Sequence, residues 1–452
     1  MTDIAEILRS ELSGRVITPA DDDYDQARAV FSGAIDGHPA VIARVANSQD
    51  VAIVVNTARN NGVELSVRGG GHSGAGHSTN DGGLVLDVSD MKAIDIDVKG
   101  ATAWAETGLT AIEYLEKVGE HGFVTGFGDT GSVGIGGITL GGGVGFLVRK
   151  FGLTVDSLIG AELVTADGEL VTADEKTNPD LFWAIRGGGG NFGVVTRLHF
   201  RLNRLESFVG GLMILPATTE TVVGFIEAAE AAPDGLSTIA NVMNCPPMPF
   251  VPEELHGSLV IMAFIAWAGE VGEGQAVIDR FRALAEPLAD MTAPGPYTDI
   301  YMPEDQDYRP VAVSRTLFTD TFESATAEAI LEHLETSDAS MRVAQIRPLG
   351  GAYARVSNDD TAYAHRDRRF MVNVAAFYDG PDDLPRRQEW VGGLASLLSG
   401  GDDRGYTGFL GDEGPDRVRA AYPGKTWDRL RQVKAKYDPD NLFSSNQNIP
   451  PA

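Results

Sequence analysis

The spacing of apolar residues over roughly the first 200 positions switches repeatedly between the two-residue period of a strand and the wider period of a helix, so short strands and helices are predicted to alternate there. An apolar run over 40–44 predicts a strand. Ser48 then caps a helix in which Val51, Val54, Val55 and Ala58 share one face, and Asn61-Gly62 stops it. Residues 64–68 predict a strand that runs directly into glycines, and 83–88 another apolar strand. Thr110-x-x-Glu113 has the spacing of a capping box, in which each side chain satisfies a free backbone N–H at a helix start; that helix runs toward Gly122. Residues 163–171 read as a hairpin turning at Asp167-Gly168. Asn178-Pro179 reads as an N-cap and first helical residue, and 194–202 as a returning strand.

From about residue 206 to about 410 the texture changes to longer alternating strands separated by amphipathic helices such as 325–336, which predicts an antiparallel sheet backed by helices. From about Asp416 a helix runs to near Lys436, and Asp438-Pro439-Asp440-Asn441 makes a turn before the polar tail SSNQNIPP. With 452 residues the chain exceeds the size at which one core keeps growing, so two lobes sharing an interface are expected, and such an interface is where a cofactor usually sits.

Composition narrows the function classes. Hydrophobic residues at 43% and charged residues at 22% are those of a folded chain, and no repeat or low-complexity segment is visible. A formal charge of -28 repels polyanions and anionic lipid, which argues against nucleic-acid or membrane-surface partners. The single cysteine, Cys245, rules out an intramolecular disulfide or a multi-cysteine metal site. No apolar window is long enough to span a membrane and no signal peptide is visible, so a cytoplasmic location is expected. Oligomeric state is not legible.

Three glycine clusters carry the candidate chemistry. In the first, Arg68-Gly69-Gly70-Gly71-His72-Ser73, the spacing Gly69-x-Gly71-x-x-Gly74 matches the dinucleotide fingerprint, but SGAGHSTNDGG follows with no helical period, so the Rossmann reading fails. The second, GSVGIGGITLGGGVG over 131–145, is too glycine-dense for a helix interior and too apolar for a flexible surface loop. Glycine costs about 1 kcal/mol per residue in regular structure, so this density points to close backbone approach to a ligand, with free N–H groups forming nests for phosphate oxygens. The third, Arg186-Gly187-Gly188-Gly189-Gly190-Asn191-Phe192-Gly193, sits between a helix and a strand, either as a binding loop or as a plain helix stop.

In order, VRGGGHS, VGIGGITLGGGVGFLVRKFGLTVDSL, LFWAIRGGGGNFGVVT and RLRQVKAKYDPDNLFSSNQNIPP resemble the FAD-linked oxidases of the berberine bridge enzyme type, within the vanillyl-alcohol oxidase superfamily. The resemblance covers most of 35–205 and 345–452. It implies an α+β fold of two lobes: a PCMH-type FAD-binding domain over 1–205, completed by 416–452, and a substrate-binding domain over 206–415. It also implies FAD carried covalently on His72 through the 8α-methyl of the flavin, His77 being the nearest rival histidine. Where bicovalent members have a cysteine this chain has Thr130, so a single covalent bond is expected. Val133 stands at the family's gate on the oxygen pocket, where larger residues close it, and favours reaction with molecular oxygen.

Cofactor contacts are implied from Arg68, Gly69, Gly70, Gly71, His72, Ser73 and His77, and from Thr130, Ser132, Val133, Gly134, Gly136, Gly137, Leu140, Gly141, Gly142, Gly143 and Gly145. Asn191, Gly193 and Val195 belong to the third cluster, and Asn446 and Asn448 to the tail, whose amides match a family segment near the flavin ring. A hydride leaves an alcohol or amine carbon only as a proton leaves its O–H or N–H, so a base is required. The family supplies a tyrosine in the last strand of the substrate lobe, within a Tyr-x-Asn-Phe-like segment. Here Tyr406-Thr407-Gly408-Phe409 keeps the tyrosine and lacks the asparagine, so Tyr406 is the candidate base or else a buried structural tyrosine. Gln345 and Arg347, two apart on a predicted strand, face one side, toward either substrate or solvent. The resulting expectation is an oxidase for a small-molecule substrate with oxygen as acceptor. The alternatives are an FAD dehydrogenase using another acceptor, a nicotinamide-dependent dehydrogenase on the first glycine cluster, or a flavin-carrying binding protein without turnover.

Overall fold

A computed structural model of the protein describes residues 2–305 and 308–452, and the alternating amino-terminal pattern folds in it as two sheets. In the first, strands Val41–Arg44, Leu84–Asp87 and Leu65–Arg68 pair in parallel around Leu84–Asp87, and Arg15–Ile17 adds an antiparallel edge. Leu84–Asp87 is buried on both faces, as a covered parallel strand must be. Helix Ser48–Asn61 supplies part of that cover, with Val51, Val54, Val55 and Ala58 packed against Val41, Leu84 and Leu86. Its cap is Asn47 and not Ser48: the Asn47 side chain accepts from the N–H groups of Gln49 and Asp50, a geometry open to a residue just before the first helical turn. Gly62, at φ 60°, ends the helix in the left-handed region.

The second sheet is antiparallel, in the order Ile94–Asp97, Thr102–Glu106, Val194–Arg201, Leu158–Val164, Leu170–Asp174. Its last two strands form the predicted hairpin, turning with Gly168 at φ 83°, but the first of them starts at Leu158 and not at Leu163. The capping box at Thr110 and Glu113 is closed in both directions. Asn178 does not cap. It sits at φ 49° and its amide donates to the Thr172 carbonyl, leaving Pro179 alone to start helix Pro179–Ile185.

The third large sheet is antiparallel throughout, in the order Ala289–Asp290, Phe208–Pro216, Leu259–Ala268, Leu236–Asn244, Arg342–Pro348, Phe370–Phe377, Ala312–Thr319. One face buries Ala240, Ala344, Ile346 and Val374 under helices Thr219–Glu230, Val271–Arg282, Ser324–Glu335 and Leu384–Ser399, through residues such as Phe225, Phe281, Ile330 and Leu394. Because side chains alternate along a strand, the register Asn241, Gln345, Asn373 lies on the other face. The fold is thus α+β, with an antiparallel sheet backed by helices.

Helix Lys425–Tyr437 leads into the tail. Lys434 is fully buried and spends its three N–H donors on Asp438, the Asn191 carbonyl and the Phe443 carbonyl, at 2.6, 2.8 and 2.9 Å. Asp438 also accepts from the N–H groups of Leu442 and Phe443, so the pair is satisfied on both sides and holds the tail against the third glycine cluster. Among the described residues no helix is long and apolar enough to cross a membrane.

Candidate functional site

A cavity of about 430 Å³ lies where the three glycine clusters and the tail converge, a size that suits a small-molecule cofactor. Strand Leu65–Arg68 delivers residues 69–73 to its wall, and no helix follows before strand Leu84–Asp87, so the helix that a Rossmann phosphate site requires is missing. The first and second clusters meet backbone to backbone: a Cβ on Gly70 would stand 2.3 Å from the nitrogen of Gly134.

The second cluster departs from expectation. Residues Ile135–Gly141 form a short helix despite their glycines. Ile135 and Leu140 bury in the main core, which offsets the glycine cost, and the small residues of the turn bring backbone to the cavity. Added Cβ atoms on Gly137 and Gly190 would meet no protein atom within 4 Å, and one on Gly69 only the Thr107 carbonyl at 3.5 Å, so these glycines leave open space at the cavity wall. Gly142, Gly143 and Gly145 are different. They do not line the cavity; Gly142 and Gly143 adopt φ 121° and 78°, and a Cβ on Gly145 would fall 1.4 Å from the Phe127 carbonyl oxygen, so they are needed for protein packing.

Among the other predicted residues, 69–73, His77, Thr130, Val133, Gly134, Gly136, Leu140, Gly141, Asn191, Gly193, Val195, Asn446 and Tyr406 line the cavity. Arg68, Ser132, Gln345 and Asn448 do not. Arg68 is turned away into a buried ion pair with Asp87 at 2.7 Å, as a residue on the far side of a strand end must be. Ser132 stands behind His72, 2.9 Å from its Nε2. The imidazole of His72 is stacked on Phe31, centroids 4.2 Å apart, and burial pushes its pKa below the ordinary 6.5, which keeps the ring neutral.

Several buried polar atoms have no protein partner: Nε2 of His77, Oγ of Ser78, Oγ1 of Thr79 and the amide oxygens of Asn446 and Asn448. A buried polar group without a partner costs about 1–3 kcal/mol. Of these residues, His77, Ser78 and Asn446 line the cavity, so a polar ligand there would find ready partners. The glycine cradle and the orphaned groups of His77, Ser78 and Asn446 suit a ligand that carries many polar atoms, as FAD does.

Another part of the wall is made by the loop after helix Leu384–Ser399, through Tyr406 and Phe409, with Arg347 of the large sheet packed behind it. Tyr406 is buried in a turn and not in a strand, and its hydroxyl accepts from the Gly143 N–H at 3.0 Å. The missing asparagine has a steric counterpart: a Cβ at Gly408 would lie 2.7 Å from the Tyr406 ring and 2.8 Å from its hydroxyl, so glycine at 408 permits this placement of the tyrosine. Burial raises the Tyr406 phenol above its ordinary 10; the Gly143 N–H and the charge of Arg347 act against that rise. Arg347 is buried with its guanidinium over the Phe409 ring at 5.0 Å and pairs with Asp129 at 2.5 Å. It also donates to Gln345, whose amide donates to Asn241 at 2.9 Å, so Gln345 orients Arg347 instead of reaching the cavity. Asp129 is an addition to the residues expected from the sequence, where its place just ahead of the second glycine cluster is the signal for it. Glu304, bonded to Ser132, lies in an irregular segment that offered none.

Residues 39–174 match the FAD binding domain family, and residues 405–450 the family described as berberine and berberine like. The chain is 31% identical to the FAD-linked oxidoreductase YvdP of Bacillus subtilis (strain 168), covering 98% of this chain and 99% of the relative. It is 29% identical to (R)-6-hydroxynicotine oxidase of Paenarthrobacter nicotinovorans over 97% of both chains. The crystal structure of 6-hydroxy-D-nicotine oxidase from Arthrobacter nicotinovorans superposes with a TM-score of 0.85 at 27% identity, covering 98% of each chain.

Proposed function

We infer, from the premise that this chain belongs to the berberine bridge enzyme-like FAD-linked oxidoreductases, that it is an oxidase with a single covalent flavin bond, at His72. In this reading it removes a hydride from an alcohol or amine carbon of a small molecule and passes the electrons to dioxygen, releasing hydrogen peroxide. The observation that carries the reading is the cavity itself, which has open-faced glycines along one wall, His72 in that wall and Tyr406 in another. Residues 1–205 with 416–452 hold the cofactor, and 206–415 cover its ring and choose the substrate.

FAD, when bound, supplies a hydride acceptor at N5. The chain supplies the rest. Neutral His72 is the nucleophile for attachment. Thr130 has no thiol for a second bond, and Cys245, buried in the large-sheet region, does not line the cavity. Tyr406 takes the substrate's O–H or N–H proton as the hydride leaves. Its deprotonated form is stabilised by the Gly143 N–H and the Arg347 guanidinium. Val133, in the cavity wall, leaves room for oxygen. The likeness to (R)-6-hydroxynicotine oxidase favours an amine carbon and oxygen as acceptor.

Flavin fluorescence that survives acid precipitation in the unaltered chain and disappears in His72→Ala tests the attachment. A panel of alcohols and amines read by peroxide release tests the reaction. Substrate-reduced enzyme mixed with aerated buffer is expected to reoxidise within seconds; reoxidation only by an artificial acceptor would replace the oxidase reading with the dehydrogenase one.

A further inference from the structure

Beside His72 lies a carboxylate that the proposed oxidation does not use. Glu304 comes from an exposed segment next to the large sheet and closes on Ser132 with both carboxylate oxygens. Oε1 accepts from the Ser132 N–H at 3.0 Å, and the other oxygen accepts from the Ser132 hydroxyl. That hydroxyl also lies 2.9 Å from Nε2 of His72. A serine has one proton to give. With that proton directed at Glu304, Nε2 of His72 must be the donor in its own contact, which fixes the tautomer: Nε2 carries hydrogen and Nδ1 carries the free lone pair. Stacking on Phe31 holds the ring plane. On its amino-terminal side Glu304 is anchored by Tyr301, three residues earlier, whose hydroxyl donates to the Gly128 carbonyl.

We propose that Glu304, acting through Ser132, is the positioning residue and proton acceptor for attachment of the flavin to His72, with Nδ1 as the nucleophile. The inference rests on the reading of His72 as the attachment point. In that step a C–H bond of the 8α-methyl breaks, the C8α–Nδ1 bond forms, and the Nε2 proton passes to Ser132 as Ser132 passes its own to Glu304. The two electrons released reduce the isoalloxazine, which also takes up the methyl proton, and dioxygen accepts them on reoxidation to give hydrogen peroxide. Asp129 is the other acid whose charge bears on His72, but it is paired with Arg347. Glu304, by contrast, stands in hydrogen-bonded line with the imidazole through Ser132.

The full chain, produced in a riboflavin-limited host and isolated without flavin, would be mixed with FAD and sampled over time for acid-stable fluorescence. Quenching of free FAD fluorescence in the same samples reports binding before attachment. Glu304→Gln is expected to slow attachment by about 100-fold, the ordinary range for a positioned base, with the Kd for FAD unchanged. Glu304→Asp should recover part of the rate. Ser132→Ala should be as slow as Glu304→Gln, and the double variant no slower than either. Because Glu304 is exposed, its loss does not threaten folding. Attachment at the unaltered rate in Glu304→Gln, or slowing that merely follows weaker FAD binding, would overturn the relay while leaving His72 as the attachment point. Acid-stable fluorescence persisting in His72→Ala, or absent from the unaltered chain, would instead remove the attachment reading and the relay with it.

Discussion

Two stretches of the cavity wall are built by different means. Along residues 69–73, 134–141 and 188–190 the wall is mostly backbone, with glycines set so that nothing projects, and the tail amides close it. Around Tyr406 and Phe409 the wall is side chains, held by Arg347, Asp129 and the Gly143 N–H, and drawn from elements far apart in sequence. The backbone wall suits a cofactor of constant shape, because N–H groups and empty space recognise phosphates and sugars without reference to chemistry. The side-chain wall suits a reaction, because a phenol and a guanidinium can be tuned one residue at a time. It follows that substitutions in the first stretch should change cofactor retention and those in the second should change rate.

The largest expected effect comes from cutting the tail loose. Lys434→Met leaves Asp438 buried without its cation, which should cost about 3–5 kcal/mol in urea unfolding and abolish FAD retention on gel filtration. Acid tests the packing behind the side-chain wall next, where Tyr363 stands against Tyr406. His365 is buried against Phe318 and Tyr363, and burial lowers its pKa from 6.5 to about 4. Below pH 6.5 the unfolded chain takes a proton that the folded chain refuses. Stability is therefore complete above that pH and falls as pH drops toward about 4, by about 3 kcal/mol, a loss that His365→Gln should largely remove in unfolding curves taken at several pH values.

Tyr406→Phe should slow flavin reduction by a known substrate about 100-fold, with FAD retention intact. The phenol is raised above 10, so kcat/KM of the unaltered enzyme should climb with pH through the alkaline range as the base loses its proton, and the variant should lack that climb. The smallest effect separates the two kinds of glycine. Gly137→Ala meets no protein atom and sits in a helix, so it should leave folding unharmed while weakening FAD binding about tenfold, or about 1.4 kcal/mol. An unchanged affinity for FAD in titrations of that variant would mean that the backbone wall does not approach its ligand closely at Gly137.

The backbone wall is legible in the sequence because so dense a glycine run has little use in a folded chain beyond close approach, and Arg68 to His72 with its missing helix separates from a Rossmann loop by periodicity alone. Legibility ends where one density serves two ends. The same run that opens a cavity at Gly137 packs against Phe127 at Gly145, and only the fold distinguishes them. The helix Ile135–Gly141 is hidden for the same reason, since its stability comes from Ile135 and Leu140 in a core assembled from distant segments. Asp129 and Arg347, 218 positions apart, have no shared local pattern. Gln345 and Arg347 do share one side of a strand, as their spacing predicts, but which of them approaches the cavity region depends on the loop ahead of the second cluster.

The junction of Lys434, Asp438 and Asn191 also sets an order of events in biosynthesis. The hydroxyl of Ser66 meets that of Ser445 at 2.8 Å across 379 positions, and Asn191 bonds to the backbone at Gln447 and Ile449. Residues 443–447 leave the ribosome after all the other groups that line the cavity, so the nascent chain can fold its early sheets but cannot offer a closed site. Flavin loading is then a post-translational event, and a chain arrested before residue 443 would be flavin-free for want of a wall, however well its first sheets had formed.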